Sequence, residues 1–214
     1  MQISLDEVQK IAQTAFYITL AVVTVLTFLR AKKGLLSNVN TEYHKKVIER
    51  LDKLSETLLE EYDFDSPKHW SKHSLVDAAV RKINKEFLIS KADILREGKF
   101  ETGIPTNQDY ERLSRLVQRI KSDPFIPEVI RDKAVDLLGT RADAIFEVHI
   151  NELTKYCNQL AKGKYDENLD GMVSVIHNRV ITELNKRGCG IVEIEGEVHK
   201  LRLTIQEYFR EFHP

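Results

Sequence analysis

Two lysines and the only tryptophan of the chain lie within one short polar segment. Lys68, Trp70 and Lys72 alternate with His69 and a serine. Ammonium groups bind phosphate or carboxylate oxygens, and an indole ring offers a plane on which a base can stack. The segment therefore predicts a weak site for a small anionic ligand such as a nucleotide. It is also typical of an anchor among lipid headgroups, or of a tryptophan that fills a seam in the fold.

The histidines give little support for a metal site. His69 and His73 have the i, i+4 spacing that brings two imidazoles to one side of a helix. No acidic residue lies between them, and Pro67 just before them makes a helix doubtful. His149 and His177 belong to apolar helix faces, where one structural hydrogen bond is the simpler role. We expect no metal and no other cofactor.

The motifs of nucleophilic and phosphoryl-transfer enzymes are missing from the sequence. It contains no G-x-S-x-G elbow, no Walker A loop and no G-x-G-x-x-G loop. Cys157 lies on an apolar helix face and indicates packing, whereas Cys189, between two glycines, could be exposed and reactive. Seven residues separate Arg141 from His149, more than the four to six typical of helical HEPN ribonucleases. We therefore assign no catalytic residue.

One group of carboxylates keeps an enzyme among the hypotheses. Asp132, Asp136, Asp143 and Glu147 lie within one predicted helical stretch, and carboxylates serve as acid and base in many hydrolases. The same pattern is more typical of a solvated helix face balanced by lysine and arginine. A membrane-associated hydrolase or nuclease is therefore only the third hypothesis.

Composition favours a helical protein. The chain has 214 residues, a net charge of −1, 9 glycines, 5 prolines and 8% aromatic residues. Scarce glycine and proline are typical of helical folds rather than of sandwiches or barrels. A nearly neutral charge argues against nucleic acid as a partner. Two distant cysteines without a CxxC pair indicate reduced thiols in a reducing cytosol.

The longest charge-free stretch lies near the N-terminus. No residue from Ile11 to Leu29 is charged, and a helix of this length spans about 28 Å, close to the hydrocarbon thickness of a bilayer. Arg30, Lys32 and Lys33 follow directly, where they would contact anionic headgroups. The positive-inside rule predicts a single-pass helix in the inner or plasma membrane, with the N-terminus outside and the C-terminal domain in the cytoplasm.

Two other interpretations of this stretch fit less well. A cleaved signal peptide would have a basic segment before the apolar run and a small-residue cleavage site after it. Here the preceding segment contains Asp6 and Glu7, and the run ends in Phe28 and Leu29 followed by Arg30. A buried core helix fits less well still, because the run is apolar on most of its circumference and no charge interrupts it.

Polar side chains line one side of the predicted membrane helix. Gln13, Tyr17, Thr24 and Thr27 follow a spacing of four, seven and three residues. Interhelical hydrogen bonds of such groups contribute about 1 kcal/mol each in lipid. Alternatively, the threonine hydroxyls bond to their own backbone. The stripe thus leaves self-association through this helix open.

The remaining segments predict an all-α fold: one transmembrane helix followed by a cytoplasmic multi-helix bundle. We expect a short extracytoplasmic N-terminus (1–10), a transmembrane helix (11–29), a basic segment with a stalk-like helix over 41–63 (30–64), and a helical cytoplasmic domain (65–214). Caps are expected at Ser74, Asn107 and Asp166, Pro127 should begin a helix, and Gly139 should break one.

The last segment is ambiguous. A heptad spacing relates seven apolar residues: Ile191, Ile194, Val198, Leu201, Ile205, Tyr208 and Phe212. This favours a C-terminal helix with a coiled-coil-like seam. The alternation of apolar residues with glutamates, and Gly196 among them, would instead fit a short hairpin at 191–205.

These features favour a membrane-anchored, non-enzymatic interaction or effector protein. It would self-assemble, or bind another membrane or cytoplasmic protein, as bacterial accessory proteins and defence effectors of this architecture do. The alternative is a membrane-tethered sensor that binds a small anionic ligand through Lys68, Trp70 and Lys72.

Overall fold

Helices make up all the regular secondary structure that the computed structural model describes, which covers residues 5–69, 76–164 and 168–211. Side chains are not described for residues 5–12, 15 and 35–38. The prediction of an all-α fold is confirmed. The helices within the described ranges are α1 Leu5–Leu59, α2 Asp77–Ile89, α3 Lys91–Glu97, α4 Gln108–Ser122, α5 Glu128–Ala161, α6 Leu169–Lys186 and α7 Ile191–Glu211.

The chain forms two compact units, Met1–Glu49 and Arg50–Pro214. The first unit contains most of α1, and the second contains the end of α1 together with α2–α7. Among the described residues, no helix combines the length and the apolar character needed to cross a membrane.

Helix α1 is continuous over 55 residues, although the sequence pattern predicted a membrane helix and a separate stalk helix. No proline interrupts it, and the cost of Gly34, about 1 kcal/mol, is too small to break a long helix. Near its end, Leu51, Leu54 and Leu58 are buried in the second unit. These three leucines of the predicted stalk are therefore part of the domain core.

Helix α5 is the central helix of the second unit and contacts α2, α3, α4, α6 and α7. Leu138, Ile145 and Leu153 on this helix are at most 3% exposed. The predicted break at Gly139 is wrong, because α5 runs without interruption through 34 residues. Packing from several neighbours outweighs the weak helix propensity of one glycine.

The helix ends follow local chemistry. Oδ1 of Asn107 accepts hydrogen bonds from the backbone N–H groups of Asp109 (2.7 Å) and Tyr110 (3.2 Å), so the predicted cap is confirmed. Asn168 caps α6 by accepting from the N–H of Gly171 at 2.9 Å. Gly188, with φ of 68°, follows α6 in the left-handed conformation that ends helices.

Three predicted helix starts differ from the structure or lie outside it. The predicted caps Ser74 and Asp166 lie outside the described residues. Pro127 is the residue just before α5, with extended ψ, rather than part of its first turn.

The ambiguous last segment is a helix, and the hairpin alternative is wrong. Ile194, Val198, Leu201 and Ile205 are 2–4% exposed, and α7 packs against α5. The apolar seam of α7 is thus covered within the chain, while Phe212 lies outside the described residues.

Candidate functional site

A groove of about 780 Å³ lies beside the starts of α2 and α4. Its size is typical of small-molecule sites. Three cationic side chains, three carboxylates and one histidine line it, together with small and apolar residues. The lining consists of Lys68, Val76, Asp77, Ala78, Ala79, Pro105, Thr106, Asn107, Gln108, Asp109, Glu111, Arg112, Arg115 and His149.

The wall of the groove is fixed by buried polar groups. His149, on α5, is 2% exposed, and its Nε2 lies 3.1 Å from the carbonyl oxygen of Pro105. Asn107, two residues later, is also buried and caps α4. These contacts hold the segment before α4 against α5, so the groove has a defined wall.

The cationic groups of the groove each have an acidic neighbour. Nη2 of Arg112 lies 3.3 Å from Asp109, and Nη2 of Arg115 lies 3.6 Å from Glu111. Lys68 donates to a carboxylate oxygen of Glu60. All three cations remain partly exposed, Arg115 by 75% of its side chain. Exposed pairs of this kind contribute at most about 1 kcal/mol.

Next to the groove, Arg112 joins a buried ion pair. Nη1 and Nη2 of Arg141 donate to the two carboxylate oxygens of Glu61 at 2.9 and 2.5 Å. Nη2 of Arg112 donates to the same carboxylate at 3.2 Å, and Nη1 of Arg141 also lies 3.3 Å from the phenol oxygen of Tyr62. This network links the turn after α1 to α4 and α5.

Burial and charge set the protonation states in this network. Burial raises the pKa of Tyr62 to about 12, against the opposing field of Arg141, so the phenol is protonated at neutral pH. Burial opposes the charge of Arg141, but its acidic neighbours, Glu61 first among them, together outweigh burial and raise the pKa of the guanidinium. Nε of Arg141 is buried without a hydrogen-bond partner among the described atoms.

Sequence reasoning missed both the network and the groove. Glu61 and Arg141 are 80 positions apart, and nothing in their local patterns marks them as partners. Arg141 and His149 lie eight positions apart on one helix, and both are buried. One signal in the sequence is that Arg141 falls at a position of the helix where the spacing predicts a buried apolar residue. A buried arginine is rare unless it has an acidic partner, so this position predicts an ion pair.

The structure describes only part of the predicted ligand segment. Lys68 lines the groove, whereas Trp70 and Lys72 lie outside the described residues, as does His73. His69 is buried, with its ring centroid 5.4 Å from that of Phe64. Within the described residues, no group of three His, Cys, Asp or Glu side chains is placed to hold a metal ion.

Both cysteines are free and buried, each 5% exposed. Burial raises the pKa of Cys157 to about 11 and also raises the pKa of Cys189. The hypothesis that Cys189 is exposed and reactive is wrong, because the turn after α6 packs this thiol inward. Neutral, buried thiols are poor nucleophiles.

The carboxylates of α5 lie mostly at the surface. Asp132, Asp143 and Glu147 are exposed, and Glu147 lies 2.7 Å from Nη1 of Arg187. Asp136 lines a different groove, of about 440 Å³, next to the turn after α6. These positions are typical of a solvent-exposed helix face that carries ion pairs.

The polar stripe of α1 uses its hydroxyls within the helix. Oγ1 of Thr24 donates to the carbonyl oxygen of Leu20, and Oγ1 of Thr27 donates to that of Val23, both at 2.8 Å. Gln13 and Tyr17 are exposed. Both threonine hydroxyls therefore bond to the backbone of their own helix, which was the alternative to hydrogen bonds between helices.

Comparison with known proteins gives no assignment. No family model, no curated protein and no solved structure matches the chain. Three features of the chain bear on its function: the apolar run of α1, the buried ion pair and the groove.

Proposed function

We propose that residues 11–29 tether this protein to a membrane, and that it acts through association with other proteins without a reaction of its own. The observation that carries the proposal is the exposure of α1. Its ten large apolar side chains between Phe16 and Leu29 are 51–66% exposed. Soluble monomers rarely expose apolar patches of more than a few hundred Å². This surface of α1 is therefore expected to be buried against lipid or against another protein.

The distribution of these side chains favours lipid as the covering phase. Consecutive residues of a helix point in directions about 100° apart, so Leu20, Val22, Val23 and Phe28 are spread around the whole circumference. All four are more than half exposed. A protein partner covers one face of a helix, whereas a bilayer covers every face, and no charge between Ile11 and Leu29 opposes insertion.

The flank supports an orientation. Arg30, Lys32 and Lys33 are exposed on α1 directly after the apolar run. Cationic side chains at this place attract anionic headgroups and favour the cytoplasmic side. The proposal therefore places the second unit in the cytoplasm of a single-pass protein of the inner or plasma membrane.

Self-association through α1 is part of the proposal. Because the hydroxyls of Thr24 and Thr27 already donate to their own helix, contact between copies would depend on close packing of small groups near Ala21 and Thr24 rather than on interhelical hydrogen bonds. The partner is then a second copy, or another membrane or cytoplasmic protein.

The tether is tested by fractionation of cells that express the full chain. We expect the protein in the membrane pellet after alkaline carbonate washing. The double variant Val22→Lys, Leu26→Lys should leave that fraction, because each central charge costs about 3 kcal/mol on insertion. Val39→Lys is the control, since Val39 is 64% exposed on the same helix but outside the run.

Two results would contradict the tether. One is release of the unmodified chain by carbonate, and the other is equal retention of the double variant and the control. Orientation is read from C-terminal fusions made in the same cells. We expect the fusion to green fluorescent protein to be fluorescent and the fusion to alkaline phosphatase to be inactive, as for a C-terminus in the cytoplasm. An active phosphatase and a dark fluorescent protein would place the second unit outside.

A further inference from the structure

Two arginines on neighbouring turns of α4 face the same groove. Arg112 and Arg115 are at i, i+3, which places their side chains next to each other on one helix face, and both line the groove with Lys68. A guanidinium binds phosphate oxygens through two parallel N–H groups. From this cluster we propose that the groove binds a small phosphate-bearing ligand of mononucleotide size, with Arg112 and Arg115 as its main anion-binding groups.

The carboxylates of the groove limit the size and charge of the ligand. Asp77, Asp109 and Glu111 balance the three cations in number. Asp77 lies 2.9 Å from Arg81, a residue outside the groove lining, so its charge is partly compensated there. A long polyanion such as an RNA strand would be repelled by the other two carboxylates. A ligand with one phosphate group and further polar groups matches the mixture.

Arg115 is the residue most available to a ligand. Its Nε donates to the backbone carbonyl oxygen of Glu111 at 3.1 Å, but its Nη2 lies 3.6 Å from the carboxylate of Glu111, and the two side chains are 75% and 51% exposed. Such a pair contributes little to stability, so a phosphate can replace the carboxylate at low cost. Arg112 is less available, because it also donates to the buried carboxylate of Glu61 at 3.2 Å.

The rest of the lining suits the non-phosphate part of such a ligand. Ala78 and Pro105 provide accessible apolar surface, and Thr106 and Gln108 provide hydrogen-bonding groups. Small-molecule sites commonly combine an apolar wall with a few polar groups that fix orientation. The groove volume of about 780 Å³ lies within the range of ligand-sized pockets.

The test measures binding to the full chain in detergent by titration calorimetry. The probes are the four ribonucleoside monophosphates, the four triphosphates and inorganic phosphate. We expect at least one probe to bind with a Kd below 1 mM, and Arg115→Gln to weaken that binding about tenfold or more. The matched control is Arg119→Gln, one turn further along α4, where the arginine is exposed but outside the groove lining.

Each outcome decides between the alternatives. Absence of binding by every probe at millimolar concentration overturns the proposal. Equal weakening in Arg115→Gln and Arg119→Gln also overturns it, because the binding is then general charge attraction. Binding of inorganic phosphate alone, lost in Arg115→Gln, supports the anion site. Unchanged circular dichroism of Arg115→Gln excludes unfolding as the cause of a loss.

Discussion

At the scale of single residues, the buried contact between Arg141 and Glu61 is the interaction whose loss should cost the most stability. Their side chains are 6% and 11% exposed, and the guanidinium meets both carboxylate oxygens. Taking two charges out of water is costly, and their mutual attraction offsets this only with good geometry. The pair therefore favours one arrangement of the turn after α1 against α4 and α5, because an arrangement that separates the two residues would leave a buried charge unpaired.

Removal of one partner should be far more damaging than removal of both. We expect Arg141→Met to lower the free energy of unfolding by about 3 kcal/mol, because Glu61 is left buried with Arg112 as its remaining cationic contact. Glu61→Leu together with Arg141→Met should recover much of this loss. Urea unfolding followed by circular dichroism measures both variants, with the exposed Arg119→Met as control. A loss below about 1 kcal/mol for Arg141→Met would contradict the role given to the pair.

His177 should make stability depend on pH. Burial lowers the pKa of this imidazole, and Nδ1 has no hydrogen-bond partner among the described atoms. A lowered pKa means that the unfolded chain binds the proton more readily, so this contribution to stability is complete above the unfolded pKa of about 6.5 and is lost as the pH falls towards the folded pKa.

The measurement is Tm between pH 5 and pH 7.5. The unmodified chain should lose stability with a slope of at most about 1.4 kcal/mol per pH unit from this residue, and His177→Gln should show a flatter profile. His199→Gln is the control, because His199 is exposed on α7. Identical profiles for the unmodified chain and His177→Gln would remove His177 from the explanation.

At the scale of elements, the two threonine hydroxyls of the polar stripe of α1 form hydrogen bonds within their own helix. The hydroxyl of Thr24 is bonded inside the helix, so an isosteric valine should leave self-association in detergent unchanged. Thr24→Leu adds bulk at the same place and should weaken a tightly packed helix contact. Multi-angle light scattering compares the two variants. A monomeric unmodified chain would refute assembly, and a monomeric Thr24→Val would show that the hydroxyl does bond between helices.

Helices α5 and α7 show a different relation between pattern and packing. The heptad of α7 predicted the buried positions Ile194, Val198, Leu201 and Ile205 correctly. The pattern could not name the partner, since a seam of this kind fits a helix of the same chain as well as one of a second chain. In the folded chain, the seam of α7 packs against α5.

At the scale of the whole molecule, the two units differ in what their surfaces need. The second unit, Arg50–Pro214, has a buried apolar core that includes Phe87, Leu113 and Leu160, although some large apolar side chains such as Ile89 and Val192 are exposed. The first unit, Met1–Glu49, exposes its large apolar side chains from Phe16 to Leu29. The apolar surface of the first unit is therefore the one that most needs to be removed from water, and we propose that a bilayer buries it.

The sequence by itself determined what depends on neighbours along the chain. Most helix positions and the Asn107 cap follow from backbone chemistry within one turn, and the charge-free run is a property of composition. Tertiary structure alone decided the rest. The continuity of α5 through Gly139, the partner of the α7 seam, the pairing of Glu61 with Arg141 and the groove at Arg112 and Arg115 all join residues distant in sequence, or depend on packing from several sides. Local patterns carry no information about such contacts, because burial and electrostatic attraction act through space.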